Sequence, residues 1–225
     1  MFGIDRKKIV IIGGTGDLGS GLARCWAAKG HAVVLGSRSA DKARAAALQL
    51  AAEVAGEVTG AGNLEAAGAG DVVVVAVPFA SHDAVLQEIK PAVAGKIVID
   101  AVVPLVPPKV SVAQMPSEGS AAQIAQRILD GDARVVSAFH NIGASKLRQG
   151  EPLSCDTLVF GDDQEAKTIV MALADDLGSR GIDGGVLANS MAAEAMTSVL
   201  IGINRRYKIQ GAGIRVTGLP APLAS

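Results

Sequence analysis

Aromatic side chains are scarce in this chain of 225 residues, which contains one Trp, one Tyr and four Phe. A core with so few rings has to be built from small aliphatic side chains, and Ala and Val are abundant throughout the sequence. Hydrophobic residues make up 49% of the chain, which is enough to fill the core of one large or two small globular domains.

Cysteine and one-sided charge are also lacking. The two cysteines, Cys25 and Cys155, stand alone without a CxxC spacing, which argues against a disulfide framework and against a zinc site. We therefore predict no metal site. The formal net charge is -1 and no block of Lys or Arg occurs, so a nucleic-acid partner is not expected.

Long hydrophobic runs are absent from the sequence as well. The apolar run at Val72–Phe79 is far shorter than the roughly 20 residues that span a bilayer. The first residues, MFGIDRKK, lead directly into a strand pattern without the apolar segment of a signal peptide. We expect a cytoplasmic protein with no membrane partner.

The most informative segment that is present is IVIIGGTGDLG at residues 9–19. Its β-branched run predicts a buried strand, and Gly14-x-Gly16-x-x-Gly19 then leads into a helical pattern. In such a motif the first glycine allows a sharp turn, the second lets a pyrophosphate approach the backbone, and the third lets helix pack on strand. The pyrophosphate would lie at the helix N-terminus, so the motif predicts a dinucleotide site.

The end of the second predicted strand, HAVVL at 31–35, bears on which dinucleotide binds. NAD enzymes usually carry Asp or Glu there, but this strand is followed by Gly36-Ser37-Arg38. A hydroxyl beside a guanidinium suits a ribose 2′-phosphate, and Lys42 could add a second positive charge. We therefore predict NADP. The alternative is a solvated Arg38 at a helix start, with Ser37 or Ser39 as the helix cap.

Strand and helix patterns alternate along the chain and predict an α/β fold: a Rossmann-type doubly wound parallel sheet with a second, smaller, mostly helical C-terminal domain. We place the NADP-binding domain at 1–140 and the small domain, which would close the cleft and contribute to a dimer, at 141–225. The predicted strands are 9–12, 31–35, 57–59, 72–77, 96–103, 134–139 and 157–160. The predicted helices span 18–30, 40–54, 63–70, 82–89, 116–129, 164–177 and 190–205.

Seven segments together resemble a known family. They are GGTGDLGSGLA, GSR, VVVVAVP, PSEGSAAQIA, VVSAFHNI, FGDDQEAK and GVLANSMAAE. In this order they resemble the F420-dependent NADP reductases over nearly the whole chain. The resemblance implies reversible hydride transfer between NADP(H) and coenzyme F420, an 8-hydroxy-5-deazaflavin, by a cytoplasmic homodimer. The implied partners are therefore the small molecules NADPH and F420.

The resemblance also assigns roles to individual residues. Those implied for the 2′-phosphate are Thr15, Ser37, Arg38 and Lys42. Those implied for the pyrophosphate are Gly14, Gly16, Asp17 and Leu18, which join Gly19 of the motif. Val77 and Pro78 are implied on the nicotinamide side. Implied around the deazaflavin are His140, Ile142, Asn189 and Thr197.

The sequence predicts a different role or location for each of the three histidines. His140 is the side chain we expect to polarise the deazaflavin, although a ring held by backbone groups at a strand end is an equal alternative. His82, at a helix start after the nicotinamide-side strand, is predicted to contact cofactor. His31 follows a glycine at the start of a strand and is expected at the surface.

Two positions depart from the family pattern. Met191 and Ala195 stand where members of the family carry Arg and Ser, on the helix that helps to form the deazaflavin pocket. These departures keep open an NADPH-dependent flavin or ferric reductase of the same fold. A non-catalytic NADP-sensing module is the second alternative, because fold alone does not fix function.

Overall fold

One eight-stranded sheet runs through the part of the chain that the computed structural model describes, residues 6–131, 133–150 and 153–219. Its strands are β1 (Lys8–Ile12), β2 (Ala32–Ser37), β3 (Val58–Gly62), β4 (Val72–Val75), β5 (Ile97–Asp100), β6 (Arg134–Ser137), β7 (Asp156–Gly161) and β8 (Arg180–Gly185). Their order across the sheet is β3-β2-β1-β4-β5-β6-β7-β8. All neighbours are parallel except β6 and β7, which are antiparallel.

Helices cover both faces of the sheet. They are α1 (Asp17–Ala28), α2 (Ala40–Ala51), α3 (Asn63–Gly68), α4 (His82–Ile89), α5 (Ala121–Leu129), α6 (Ala144–Gln149), α7 (Gln164–Asp176) and α8 (Ser190–Tyr207). Alternate residues of β1 enter two separate cores, because side chains on a strand point to opposite faces. Ile9 and Ile11 pack in the core that holds Trp26 and Leu173, while Val10 and Ile12 pack in the core that holds Leu86.

The predicted doubly wound α/β architecture is confirmed, with differences in detail. Helix α5 begins at Ala121, five residues after the predicted start, and the residues between β5 and α5 form a long loop. Helix α6 and strand β8 were not predicted. Strands β7 and β8 belong to the same sheet as the strands of the first 140 residues. The domain boundary at 140 stays a prediction.

Trp26 ties the two parts of the chain together. Its side chain has no exposed surface, its Nε1–H donates to the carbonyl oxygen of Leu173 on α7 at 2.9 Å, and its ring meets that of Phe139 edge-on at 5.6 Å. Buried indole groups need such a partner for their N–H. Helices α1 and α7, which are far apart in sequence, are thereby locked into one core.

The expectation for His31 was wrong, because α7 covers this residue. The ring is 4% exposed, its Nδ1 accepts from the backbone N–H of Lys7 at 3.1 Å, and its Nε2 lies 3.0 Å from Asp176 Oδ2. None of the helices in the described ranges is long and apolar enough to cross a membrane.

Candidate functional site

The turn between β1 and α1 has no room for a side chain at three of its glycines, Gly13, Gly14 and Gly19. Gly13 adopts a φ of +84°, a region that favours glycine. A Cβ on Gly14 would lie 2.9 Å from the carbonyl oxygen of Ile11, and one on Gly19 would lie 2.5 Å from that of Gly13. The first and third glycines of the motif are therefore required by close backbone approach.

The N-terminus of α1 offers free backbone donors. Its N-cap is Gly16, which has no side chain to bind them. The backbone N–H groups of Asp17, Leu18 and Gly19 meet no acceptor from the described part of the chain. Thr15, Gly16 and Asp17 are exposed. An anion could bind here without displacing a protein group, so the loop fits the pyrophosphate of a dinucleotide.

The cationic residues after β2 lie directly beside this loop, since Gly13 N–H donates to the carbonyl oxygen of Gly36 at 3.1 Å. Ser39 caps α2 by accepting from the Lys42 backbone N–H at 3.4 Å. Arg38 and the Lys42 side chain are exposed, and neither forms an ion pair with a described residue. Both charges are thus available to a phosphate.

The carboxylate nearest to these cations in sequence belongs to Asp41. It is bound by Arg44 Nη1 at 3.1 Å instead. Ser39 is the N-cap of α2, which is one of the two caps named in the alternative interpretation. Ser37 and Arg38 are left at the end of β2.

A cavity of about 410 Å³ lies beside the N-terminus of α1. It brings together the predicted site residues Asp17, His140, Ile142 and Thr197. Its other lining residues come from the segment after β6, from α6, from α8 and from the chain that follows α8: Asn141, Gly143, Ala144, Ser145, Arg148, Leu200, Ile201, Asn204, Ile209, Gln210, Gly211 and Ala212. Asp17 and Arg148, which both line it, form an ion pair at 2.5 Å.

His140 is held in place by the protein and stays neutral. Its residue is 6% exposed, and its Nε2 lies 3.2 Å from Ser137 Oγ. Burial lowers the pKa of the ring to about 4, although the negative charge of Asp100 and a hydrogen bond to the Asp100 backbone act against this. The backbone carbonyl of His140 accepts from Thr197 Oγ1 at 3.0 Å, which joins α8 to this wall.

The remaining predicted residues are not in the cavity. Val77 and Pro78 follow β4, where Val77 lies against the glycine loop near Gly13. Asn189 is exposed just before α8, with its Nδ2 3.5 Å from the carbonyl oxygen of Gly184. His82 exposes no surface in this structure, which leaves its side chain no area for direct cofactor contact.

His82 instead forms a buried pair with Asp100, whose Oδ2 lies 2.7 Å from His82 Nε2. Burial lowers the pKa of His82, but the carboxylates of Asp100 and Asp83 outweigh burial and raise it overall. Asp100 ends β5 and also accepts from the Val102 backbone N–H at 2.9 Å. The described residues contain no group of three His, Cys, Asp or Glu side chains that could hold a metal ion.

Known proteins with similar sequences decide the family. Residues 8–104 match the family described as NADP oxidoreductase, coenzyme F420-dependent. The F420-dependent NADP reductase of Methanocaldococcus jannaschii is 40% identical to this chain over 94% of the chain and 99% of the relative. That of Methanothermobacter thermautotrophicus is 42% identical over 95% and 96%. The chain belongs to the F420-dependent NADP reductase family.

The fold of this F420-dependent NADP reductase family member also occurs among solved structures. A crystal structure of a hypothetical protein from Sinorhizobium meliloti superimposes with a TM-score of 0.67 at 24% identity, covering 84% of this chain and 89% of the other. At that identity the likeness speaks for the fold alone, since unrelated functions share it.

The two departures from the family pattern lie away from the cavity. Met191 is 41% exposed and Ala195 is half-buried, and neither lines the cavity of about 410 Å³. Helix α8 contributes residues of a later stretch to it, beginning with Thr197. The two departures from the family pattern therefore do not change a residue that lines this cavity.

Sequence reasoning missed Arg148 and Glu194. Arg148 lies on α6, which is too short to show a periodic pattern. Glu194 is fully buried, and its carboxylate binds the start of α5. Its partners are backbone N–H groups, which carry no signature in the sequence.

Proposed function

We propose that this protein transfers a hydride reversibly between NADP(H) and coenzyme F420. One observation carries the proposal beyond family membership: Asp17 both begins the helix at the glycine loop and lines the cavity of about 410 Å³. A dinucleotide on the loop and a second ring system in the cavity would therefore be neighbours. Hydride transfer needs such adjacency, with the reacting carbons about 3–3.5 Å apart.

The residues of the chain would divide the work as follows. The free N–H groups at the start of α1 bind the pyrophosphate, and Arg38 with Ser37 and Lys42 selects the 2′-phosphate. Val77 and Pro78 form a small apolar wall beside the nicotinamide. The two bound cofactors supply the hydride donor and acceptor, and the protein supplies their alignment.

His140 has a restricted role in this proposal. A ring with a pKa of about 4 is not an imidazolium at neutral pH, so it cannot act as the general acid. Because it is bound by Ser137 and the Asp100 backbone, it orients the cavity wall and presents a fixed dipole to the acceptor. The proton that accompanies the hydride to F420 would then come from solvent.

Anaerobic mixing of the pure protein with NADPH and F420 tests the function. We expect loss of deazaflavin absorbance with NADPH and a far slower loss with NADH, with FMN left unreduced. Reduction of FMN at a similar rate would instead support the flavin reductase alternative. Tight NADPH binding without reduction of either acceptor would support the sensing module.

We further propose that the protein acts as a homodimer in the cytoplasm. Helix α8 exposes Met191, Met196 and Val199, which are 41%, 39% and 49% exposed. Exposed apolar side chains on one helix favour a protein partner, and a second copy is the simplest one in a symmetric assembly. The cytoplasmic location rests on the family resemblance.

Sedimentation velocity tests the dimer. We expect the wild type to sediment as a dimer and Val199→Glu to shift toward the monomer, because a charge would be buried in the interface. Leu48→Glu serves as the control, since Leu48 is a 76% exposed apolar residue on α2. Equal effects of both substitutions would argue against an interface on α8.

A further inference from the structure

Glu194 is a fully buried carboxylate that completes the cap of a helix other than its own. It lies on α8, and its Oε2 and Oε1 accept from the backbone N–H groups of Ala121 and Ala122 at 2.7 and 3.2 Å. These are the first two residues of α5. A buried carboxylate at a helix N-terminus is stabilised by the free N–H groups and by the helix dipole.

The other donors at this helix start are satisfied within α5 itself. Ser120 and Gln123 form a capping box, in which Ser120 Oγ accepts from Gln123 N–H at 3.1 Å and Gln123 Oε1 accepts from Ser120 N–H at 3.0 Å. Only the N–H groups of Ala121 and Ala122 remain, and Glu194 takes both. Ser190 Oγ adds to this contact between α8 and α5, which we call the joint; it lies 2.7 Å from Ser120 Oγ and 3.4 Å from Glu194 Oε1.

The same part of α8 is bound on its other side to the segment that carries His140. Asn141 Nδ2 donates to the carbonyl oxygen of Ala193 at 2.9 Å and to Thr197 Oγ1 at 3.0 Å. One turn further along, α8 lines the cavity with Thr197, Leu200 and Ile201. The place of this cavity wall is therefore set by two anchors, of which Glu194 is one.

We propose that Glu194 is a positioning residue for the acceptor: by binding the start of α5 it sets the distance between α8 and the opposite wall of the cavity. This inference rests on the proposed function, in which the cavity receives F420. Glu194 itself touches no lining residue across the cavity and takes no part in hydride transfer.

The ionisation of Glu194 should make the binding of F420 depend on pH. Burial raises the pKa of its carboxyl to about 7, although the two N–H groups lower it; Asp100 on β5 raises it further, and His82 on α4 lowers it. The ionised carboxylate accepts both N–H groups. Protonation below pH 7 weakens this joint, so we expect the KM for F420 to rise as the pH falls through 7.

Glu194→Gln tests the proposal with a side chain of the same shape. The amide offers one acceptor oxygen, so one N–H of α5 is left without a partner. We expect the KM for F420 to rise about three- to tenfold at pH 8, with the KM for NADPH unchanged, and the pH dependence around 7 to disappear. Ionisations of the two substrates affect wild type and variant alike and cancel in the comparison.

Asp163→Ala is the control, because Ala has no acceptor for a helix cap. Asp163 caps α7 by accepting from Ala166 N–H at 2.7 Å, and it does not line the cavity. Losing this cap should lower stability by a similar amount without changing the KM for F420. Hydrogen exchange gives a readout without either substrate: Glu194→Gln should lose protection at Ala121 and Ala122, and Asp163→Ala at Ala166.

The outcomes separate the two claims. Wild type that fails to reduce F420 overturns the proposed function. Wild type that reduces F420, together with an unchanged KM in Glu194→Gln, overturns the positioning role. If Glu194→Gln does not fold, the wild type carries the test: the hydrogen-exchange protection of Ala121 and Ala122 should fall, and the KM for F420 should rise, as the pH falls through 7. A KM that stays constant while this protection is lost would refute the proposal.

Discussion

At the scale of single residues, the choice of dinucleotide rests on positive charge without a competing carboxylate. Arg38 is exposed at the end of β2 and forms no ion pair with a described residue, while Asp41, the carboxylate nearest in sequence, is bound by Arg44. A guanidinium in this position can meet a phosphate with two parallel hydrogen bonds.

Arg38→Ala should therefore raise the KM for NADPH about 10- to 100-fold, which corresponds to the loss of a charge-assisted contact worth roughly 1.5–3 kcal/mol. The KM for NADH should stay nearly constant, because NADH lacks the 2′-phosphate. Steady-state kinetics with both dinucleotides measure the ratio. Arg127→Ala removes an exposed arginine on α5 and should change neither value; an equal effect of both substitutions would mean that only the overall charge matters.

Residues of this kind could be predicted because their signal is local. Ser37 and Arg38 stand at a strand end where an acid is usual, and the short sequence around them shows that no acid is there. His82 and Glu194 gave no such signal, since their partners lie 18 and 73 residues away. A titratable residue whose role is set by a distant backbone group cannot be assigned from its own neighbours in sequence.

At the scale of elements, the glycines of the first three helices differ sharply in what surrounds them. A Cβ on Gly19 would come within 2.5 Å of the Gly13 carbonyl oxygen, whereas one on Gly68 at the end of α3 would meet nothing within 4 Å. The first position is restricted by strand–helix packing, and the second only loses backbone freedom on folding.

Gly19→Ala should accordingly destabilise the protein and weaken NADPH binding, because α1 has to move away from the loop that binds the pyrophosphate. Gly68→Ala should stabilise it by about 0.4–1 kcal/mol. Urea unfolding and NADPH titration measure the two effects. Similar free energies of unfolding for the two variants would contradict the close packing of loop and helix.

The strongly patterned elements of the fold were predictable, and the weakly patterned ones were not. Buried strands such as β4, with four valines, read as continuous apolar runs typical of a central parallel strand. Strand β8 has the sequence RGIDGG, with three glycines and a half-exposed edge position, and α6 has six residues. Neither has an alternation or a period that a sequence can display.

At the scale of the whole molecule, two buried titrating groups change the free energy of unfolding with pH in opposite directions. His140 has a folded-state pKa of about 4 against an ordinary 6.5, so the stability due to its neutral form is lost as the pH falls from 6.5 to 4. Glu194 has a folded-state pKa of about 7 against 4.5, so its contribution is lost as the pH rises from 4.5 to 7. Each amounts to roughly 3 kcal/mol at 1.36 kcal/mol per pKa unit.

Replacing either residue should leave only the other's contribution to the pH dependence of the free energy of unfolding. From pH 5 to pH 7, the free energy of unfolding of His140→Gln should fall relative to wild type, and that of Glu194→Gln should rise. Urea unfolding at a fixed protomer concentration measures both, since dimerisation would otherwise shift the values. Changes of the same sign in the two variants would show that the assigned ionisation states are wrong.

The position of Trp26 has a consequence for how this protein can be observed. It is the one tryptophan of the chain and lies nine residues after Asp17 on α1, about 14 Å along the helix axis. Reduced nicotinamide absorbs light at the wavelengths that a buried indole emits. NADPH on the glycine loop would therefore quench the emission of Trp26 by energy transfer, so the protein contains its own optical probe of cofactor binding, without label and without turnover.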